Sequence, residues 1–552
     1  MIGVIVRNAE VRAAREFFEL FKTPWERYVP GRAYELVIIT TGEVPANVTG
    51  GVLVVYDSKS SPFDVRLGIT ARSRGIGGRL RSGDLQFPLY GDVTAFAPAG
   101  QPFLWHKDGS DAVGLEIDDG NRRTVRIGYN LFQEVAFLLT KGQPADNAQI
   151  PTLELHISLL RRIMVNTGVA FVEVPPTPAG YEFMACLTHD VDFTGIREHK
   201  LDHTMWGFVY RALVGSLVGA FKGKMPWSKC WINWQAVFSL PFVHLGLKDD
   251  FWLEFDRYMK IERGLGSTFY FIPFKDKPGT HGSDPALKRR AARYDLSEIK
   301  QQVCDLVENG CEVGLHGIDA WQDLGKAQIE GGRITQVTGQ SKIGVRMHWL
   351  YFSESSPSVL EEAGFEYDST FGYNDAVGFR SGTSQAFCPL SVERMLELPL
   401  NIQDTALFYP SRMNLSETGA MDACRQLIGG AATFGGVLTI NWHTRSLSPE
   451  RLWEDFYRSL LEEMKTHRVW FGTAQEIVNW FRARRALRFE QAEFAADGLR
   501  LKIVGSALDG QPSFVLRVYH PKSKASTKST GVSLTPAYSD IPWKGEAKLQ
   551  LV

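Results

Sequence analysis

One pattern constrains this chain more than any other: between residues 183 and 443, short apolar runs recur with helical stretches between them. "FMACLTHDVD" (183–192), "STFYFIPF" (267–274), "CEVGLHG" (311–317), "IGVRMHW" (343–349), "LELPL" (396–400) and "GVLTINWH" (436–443) read as strands. "LSEIKQQVCDLVENG" (296–310) reads as an amphipathic helix closed by glycine. Alternation of this kind predicts a parallel sheet or barrel with its working residues at the C-terminal strand ends. The ionisable residues fall there: Asp190 and Asp192 after the first run, then His316, His348 and His443 after later ones.

The chain has 552 residues, too many for one core, and a soft prior of about 150 per domain suggests roughly three or four. A formal net charge of −1 supplies no field for a phosphate backbone, which argues against nucleic acid as a partner. Six cysteines without C-x-x-C spacing suit reduced thiols. The opening "MIGVIVRNAEVRAAREFFELF" lacks a basic segment leading into a long apolar one, and no 18 apolar residues run uninterrupted. These features lead us to expect a cytoplasmic, non-spanning protein.

Residues 1–175 read as a separate α/β domain, with strands at "YELVIIT" (35–41) and "GVLVVYD" (51–57). The passage from "TVRIGY" into a helix resembles the end of amidotransferase-like domains. Those need a nucleophilic cysteine, and none precedes Cys186. The Pro-rich joint "EVPPTPAGYE" (173–182) places a boundary near 176. Residues 176–487 form the domain with alternating strands and helices. Residues 488–552, with "LRLKIVG", "SFVLRVYH" and "AKLQLV", read as a small β-sandwich-like appendage.

The motifs "THDVD", "EVGLHG", "GVRMHW", "YDST" and "TINWHTR", in this order over residues 183–483, resemble those of the polysaccharide deacetylase (NodB-homology) family. Each has an ordinary reading alone, D-x-D as a helix cap and a lone histidine as a hydrogen-bonded structural residue, but five in order point to one site. The resemblance implies a distorted (β/α) barrel and zinc-assisted removal of acetyl groups from N-acetylated sugars, in a polysaccharide or its intracellular or lipid-linked precursor. It also implies roles. Asp190 is the base, Asp192 and His316 bind Zn²⁺ or another divalent transition metal, Arg346 orients Asp190, His443 protonates the leaving amine, and Asp404 fixes the His443 tautomer.

The family's second motif usually carries a second histidine four residues after the first, where this chain has Ala320 in "HGIDAW". Asp319 is adjacent, and "REHKLDH" offers His199 and His203 at i, i+4. His348 stands two residues after Arg346 in a strand, so both side chains share a face. The expected metal triad is therefore Asp192, His316 and His348. The missing histidine also motivates a competing reading, a catalytically inactive glycan-binding or scaffold protein. A deformylase acting on a lipid-linked sugar keeps the chemistry and changes the acyl group.

Between Asp192 and Ser267 the chain spends more than seventy residues, where a βα unit needs a few tens. The insertion, at about 200–262, is expected to be helical and aromatic-rich. Residues 204–252 hold Trp206, Trp227, Trp231, Trp234 and Trp252, with Arg211, Lys222, Lys224 and Lys229 beside an apolar helical run. Its plainest reading is a lid with a small core of its own; peripheral contact with a membrane surface and stacking on sugar rings are the alternatives.

Overall fold

A computed structural model describes the chain except residues 98, 108, 110, 119, 121, 224, 281–284, 496–497, 507–508, 521–537, 544–546 and 552. Lys224, one of the basic residues expected in the insertion, lies outside the described residues. The chain divides into two compact units, one of residues 1–180, 380–390 and 479–552, the other of 181–379 and 391–478.

The first unit is built on a nine-stranded mixed sheet. Trp25–Arg27, Ile2–Ile5, Leu36–Ile39, Val52–Tyr56 and Arg123–Ile127 are parallel neighbours, and antiparallel strands within 71–118 extend the sheet. Leu36–Ile39 and Val52–Tyr56 are buried throughout, as strands covered on both faces must be. Two features differ from the sequence reading. Residues 488–552 do not stand alone: Phe514–Tyr519 pairs antiparallel with Phe171–Glu173, and the segment forms parts of two three-stranded sheets instead of one sandwich. Residues 380–390 leave the alternating region and join this unit. The Gly382 carbonyl accepts from Leu153 N, and Glu154 Oε1 accepts from Thr383 and Gln385. A Cβ at Gly382, whose φ is +71°, would sit 2.8 Å from Leu153 N, so glycine is required there.

The second unit is a curled, all-parallel sheet. Its strands are β1 (Phe183–Val191), β2 (Ser267–Phe271), β3 (Glu312–Gly317), β4 (Val345–Met347), β5 (Tyr367–Asp368), β6 (Leu396–Glu397), β7 (Leu400–Gln403), β8 (Val437–Asn441) and β9 (Val469–Phe471). The pairing order is β6-β5-β4-β3-β2-β1-β8-β7, with β9 also on β1. The two ends of that order, β6 and β7, are joined by Leu398–Pro399 alone, so the sheet curls until its edges meet. Every side chain of β1, β2 and β8 is buried. Asp295 caps the helical stretch that feeds β3, in a reciprocal capping box with Glu298.

Residues after β1 form the helical insertion: a helical run over 203–221 and a helix Trp227–His244. Asp202 caps the first by accepting from Thr204 N and Met205 N at 2.9 Å. The insertion has its own core, in which Met205, Phe208, Ala212, Ala236, Leu240 and Val243 pack with Ile196 and Trp252.

Candidate metal centre

The C-terminal strand ends of the second unit converge on a cleft of about 600 Å³. Residues 190 and 192 lie two apart at the end of β1, so both carboxylates face it. Asp190 is almost fully buried and fixed by two partners: Arg346 Nη1 donates to Oδ1 at 3.1 Å, and Asn441 Nδ2 donates to Oδ2 at 2.7 Å. Arg346, wholly buried, also donates to Thr188 Oγ1 (2.6 Å), the Ser369 carbonyl (3.0 Å) and Ser369 Oγ (2.8 Å), with its guanidinium 4.6 Å from the Tyr270 ring centre. Burial alone would raise the Asp190 pKa. His316, the Arg346 guanidinium and His443 outweigh it and hold the carboxyl below the usual carboxylate range.

Asp192, His316 and His348 form the group that could hold a metal ion. His316 Nδ1 lies 3.0 Å from the Arg346 carbonyl. A carbonyl only accepts, so Nδ1 carries the proton and Nε2 presents a bare lone pair. That Nε2 is 2.9 Å from His348 Nδ1 and 3.3 Å from Asp192 Oδ1, and His348 Nδ1 is 3.2 Å from the same oxygen. One proton on His348 cannot serve both neighbours, and Asp192 Oδ1 is buried with no hydrogen-bond donor. Three ligand atoms gathered this way could hold a cation. Atoms about 2.0–2.1 Å from a tetrahedral ion stand about 3.3 Å apart, close to the spacings found here. One carboxylate and two imidazoles suit zinc or a neighbouring divalent metal. Burial pushes the His348 imidazole down to about 4, which keeps it in the neutral, ligating form. The backbone turns sharply after this residue, with Trp349 and Leu350 both left-handed (φ 63° and 53°).

On the facing side of the cleft, His443 Nδ1 lies 2.6 Å from Asp404 Oδ1, its backbone N donates to Asp404 Oδ2 at 2.8 Å, and its Nε2 lies 3.9 Å from Asp192 Oδ2. Ser446 also donates to Asp404. Burial alone would lower the His443 pKa, but Asp404, then Asp192 and Asp190, outweigh it and raise it above the ordinary imidazole value. All seven residues singled out in the sequence thus border one cleft or hold a residue that does.

The other candidates are not part of that group, although His199 and His203 also line the cleft. His199 Nδ1 pairs with Asp202 at 2.8 Å, its ring packed against Phe193 and Trp252, and His203 is exposed on the helix that follows. Asp319 accepts from Thr280 N and from Lys326 Nζ at 2.8 Å, and Ala320 is fully buried. Asn441 and Arg290 were not anticipated. Asn441 is two residues before His443, so period-2 spacing could have placed it on the site face. Arg290, which donates to the His348 carbonyl at 3.2 Å, comes from a 3₁₀ segment with no local signature.

No family model matches the chain and no curated protein matches it. Among solved structures it is similar to a protein described as a polysaccharide deacetylase from Mycobacterium smegmatis, at 18% identity over 57% of this chain and 96% of that one, TM-score 0.36. A second such protein, from Pseudomonas aeruginosa PAO1, matches at 19% identity over 41% and 72%, TM-score 0.30. The Puue allantoinase matches at 16% identity over 55% and 92%, TM-score 0.32.

Proposed function

We propose that this protein is a metal-dependent hydrolase of the polysaccharide deacetylase kind, removing the acyl group from an N-acylated sugar of a glycan or its precursor. The observation that carries this reading is the crowding of Asp192 Oδ1, His316 Nε2 and His348 Nδ1 beside a separate, buried Asp190–Arg346 pair. Asp192, His316 and His348 would hold the ion, which when bound supplies Lewis acidity toward an acyl carbonyl and a nearby water.

The chain's own groups supply the proton transfers. Asp190 stays ionised, and with Arg346 and Asn441 fixing the carboxylate it is oriented to take the proton of the attacking water. The Asp404 carboxylate raises the His443 pKa, which favours the protonated imidazole. With Asp404 accepting at Nδ1, the Nε2 proton points into the cleft toward the departing amine. One group gains a proton as the other loses one, so the pair is reset by a proton exchange through water. Lys288, Arg289, Arg293 and Arg412 also line the cleft and favour a glycan that carries negative charge.

Ala320 favours a second reading, a glycan-binding protein without turnover. The two are separated by assaying acetate and formate release from N-acylated glycans with zinc-loaded wild type and with Asp190→Asn. A hydrolase shows release that the variant loses by at least about a hundredfold while keeping its metal. Glycan binding by wild type with no release from any substrate supports the binder.

A further inference from the structure

The two insertion helices carry their apolar side chains on the wrong face for a protein surface in water. In the run over 203–221, Met205, Phe208, Ala212 and Ser216 face the small core. The opposite stripe is Trp206, Tyr210, Val214, Val218 and Phe221, with Trp206 56% and Phe221 76% exposed. Helix Trp227–His244 repeats the arrangement. Cys230, Ala236, Leu240 and Val243 point in, while Trp227, Trp231, Phe238 and Phe242 point out. More than half of the large apolar side chains exposed among the described residues stand between Trp206 and Leu247. Isolated exposed apolar groups need no explanation, whereas a contiguous patch of this kind marks a surface that something covers.

The charge of the same segment says what covers it. From His203 to Lys248 there is not one Asp or Glu, against about five expected from the chain's 62 in 552, and there are five Lys or Arg. Lys222 and Lys248 are exposed. Arg211 and Lys229 are paired with Glu450 and Glu417, which leaves the exposed Lys222 and Lys248 beside the protruding Trp, Tyr and Phe of a segment without acids of its own, the chemistry of an anionic bilayer interface. The run over 203–221 is long and apolar enough to cross a membrane by length and composition. Its packed inner face would then leave its own core, so it suits lying in the interface instead.

We infer that residues 203–248 are a docking surface for an anionic lipid bilayer. The same helix gives His203, Thr204 and Arg211 to the cleft lining, so docking brings the candidate site to the lipid surface. A glycan carried on a lipid phosphate is the substrate class this placement serves, a step that rests on the hydrolase reading above.

The test is flotation of the full-length protein with vesicles of phosphatidylcholine alone and of phosphatidylcholine with phosphatidylglycerol. Two variants accompany it, Trp206→Glu/Phe238→Glu on the exposed stripe and Ile329→Glu as an exposed apolar residue outside the segment and the cleft. Wild type and Ile329→Glu are expected to float with the anionic vesicles, more weakly at high salt, and the double variant to lose at least about tenfold in partition with unchanged circular dichroism. Three results would each overturn the inference: no flotation of wild type, equal flotation with both vesicle types, or a concentration-dependent dimer without lipid binding that the double variant abolishes. Flotation reads no turnover, so a protein that floats but releases no acyl group contradicts the hydrolase reading alone.

Discussion

Replacing Arg346 by methionine removes the only cation among the described residues that hydrogen-bonds to Asp190 while keeping an apolar chain of similar length over Tyr270. Asp190 is 3% exposed and Arg346 0% exposed, so the pair is desolvated on both sides. Removing one partner of a buried pair costs about 3–5 kcal/mol, because a charge is left without compensation. Asp190→Asn costs less, since an amide oxygen still accepts from the guanidinium. In the double variant no orphan charge remains, so its loss should fall short of the sum of the singles by about 1–3 kcal/mol. Equilibrium urea unfolding of metal-free protein, followed by circular dichroism and resolved transition by transition because the chain has two compact units, measures the cycle. Additivity within about 0.5 kcal/mol would refute the assignment of Arg346 as the partner that holds Asp190 ionised.

Two further outcomes follow from neighbouring groups. Asp404→Asn should lower turnover roughly 10²- to 10⁴-fold with little change in KM, because the carboxylate that fixes the His443 tautomer and raises its pKa becomes a neutral amide; steady-state kinetics on the active substrate checks this. Asp368 is buried with Oδ2 unpartnered, and burial pushes its carboxyl up to about 6. Its folded form therefore holds a proton that the unfolded chain releases near pH 4. The stability this group contributes is complete below that pH and is lost, by about 3 kcal/mol, as pH rises through 6. Asp368→Asn mimics the protonated carboxyl, so its melting temperature should fall less than that of wild type between about pH 4 and pH 7; parallel curves would contradict the shift.

Much of the second unit was legible because its signals are local. Apolar runs of strand length, separated by capped helices and ending in Asp or His, define both the parallel sheet and the rim that carries the chemistry. His348 was expected in the strand with Arg346; it lies one residue past the end of β4, in a 3₁₀ turn, yet both side chains reach the site. What escaped depends on partners distant in sequence. Nothing local to 380–390 announces that Gly382 will meet Leu153, and nothing in "SFVLRVYH" names Phe171–Glu173 as its neighbour. Arg290 reaches the His348 carbonyl from a segment without periodicity. The outward aromatic face of the insertion was visible only as a high tryptophan count until the helices showed which side packs inward.

The most direct test is the metal content of untagged, chelator-free protein by plasma mass spectrometry, for wild type, His348→Ala and His203→Ala. About one zinc or other divalent ion per chain in wild type and His203→Ala, and loss of most of it in His348→Ala, is the expected result. Wild type that stays metal-free after zinc is supplied, or His348→Ala that keeps a full complement, would contradict the centre built from Asp192, His316 and His348.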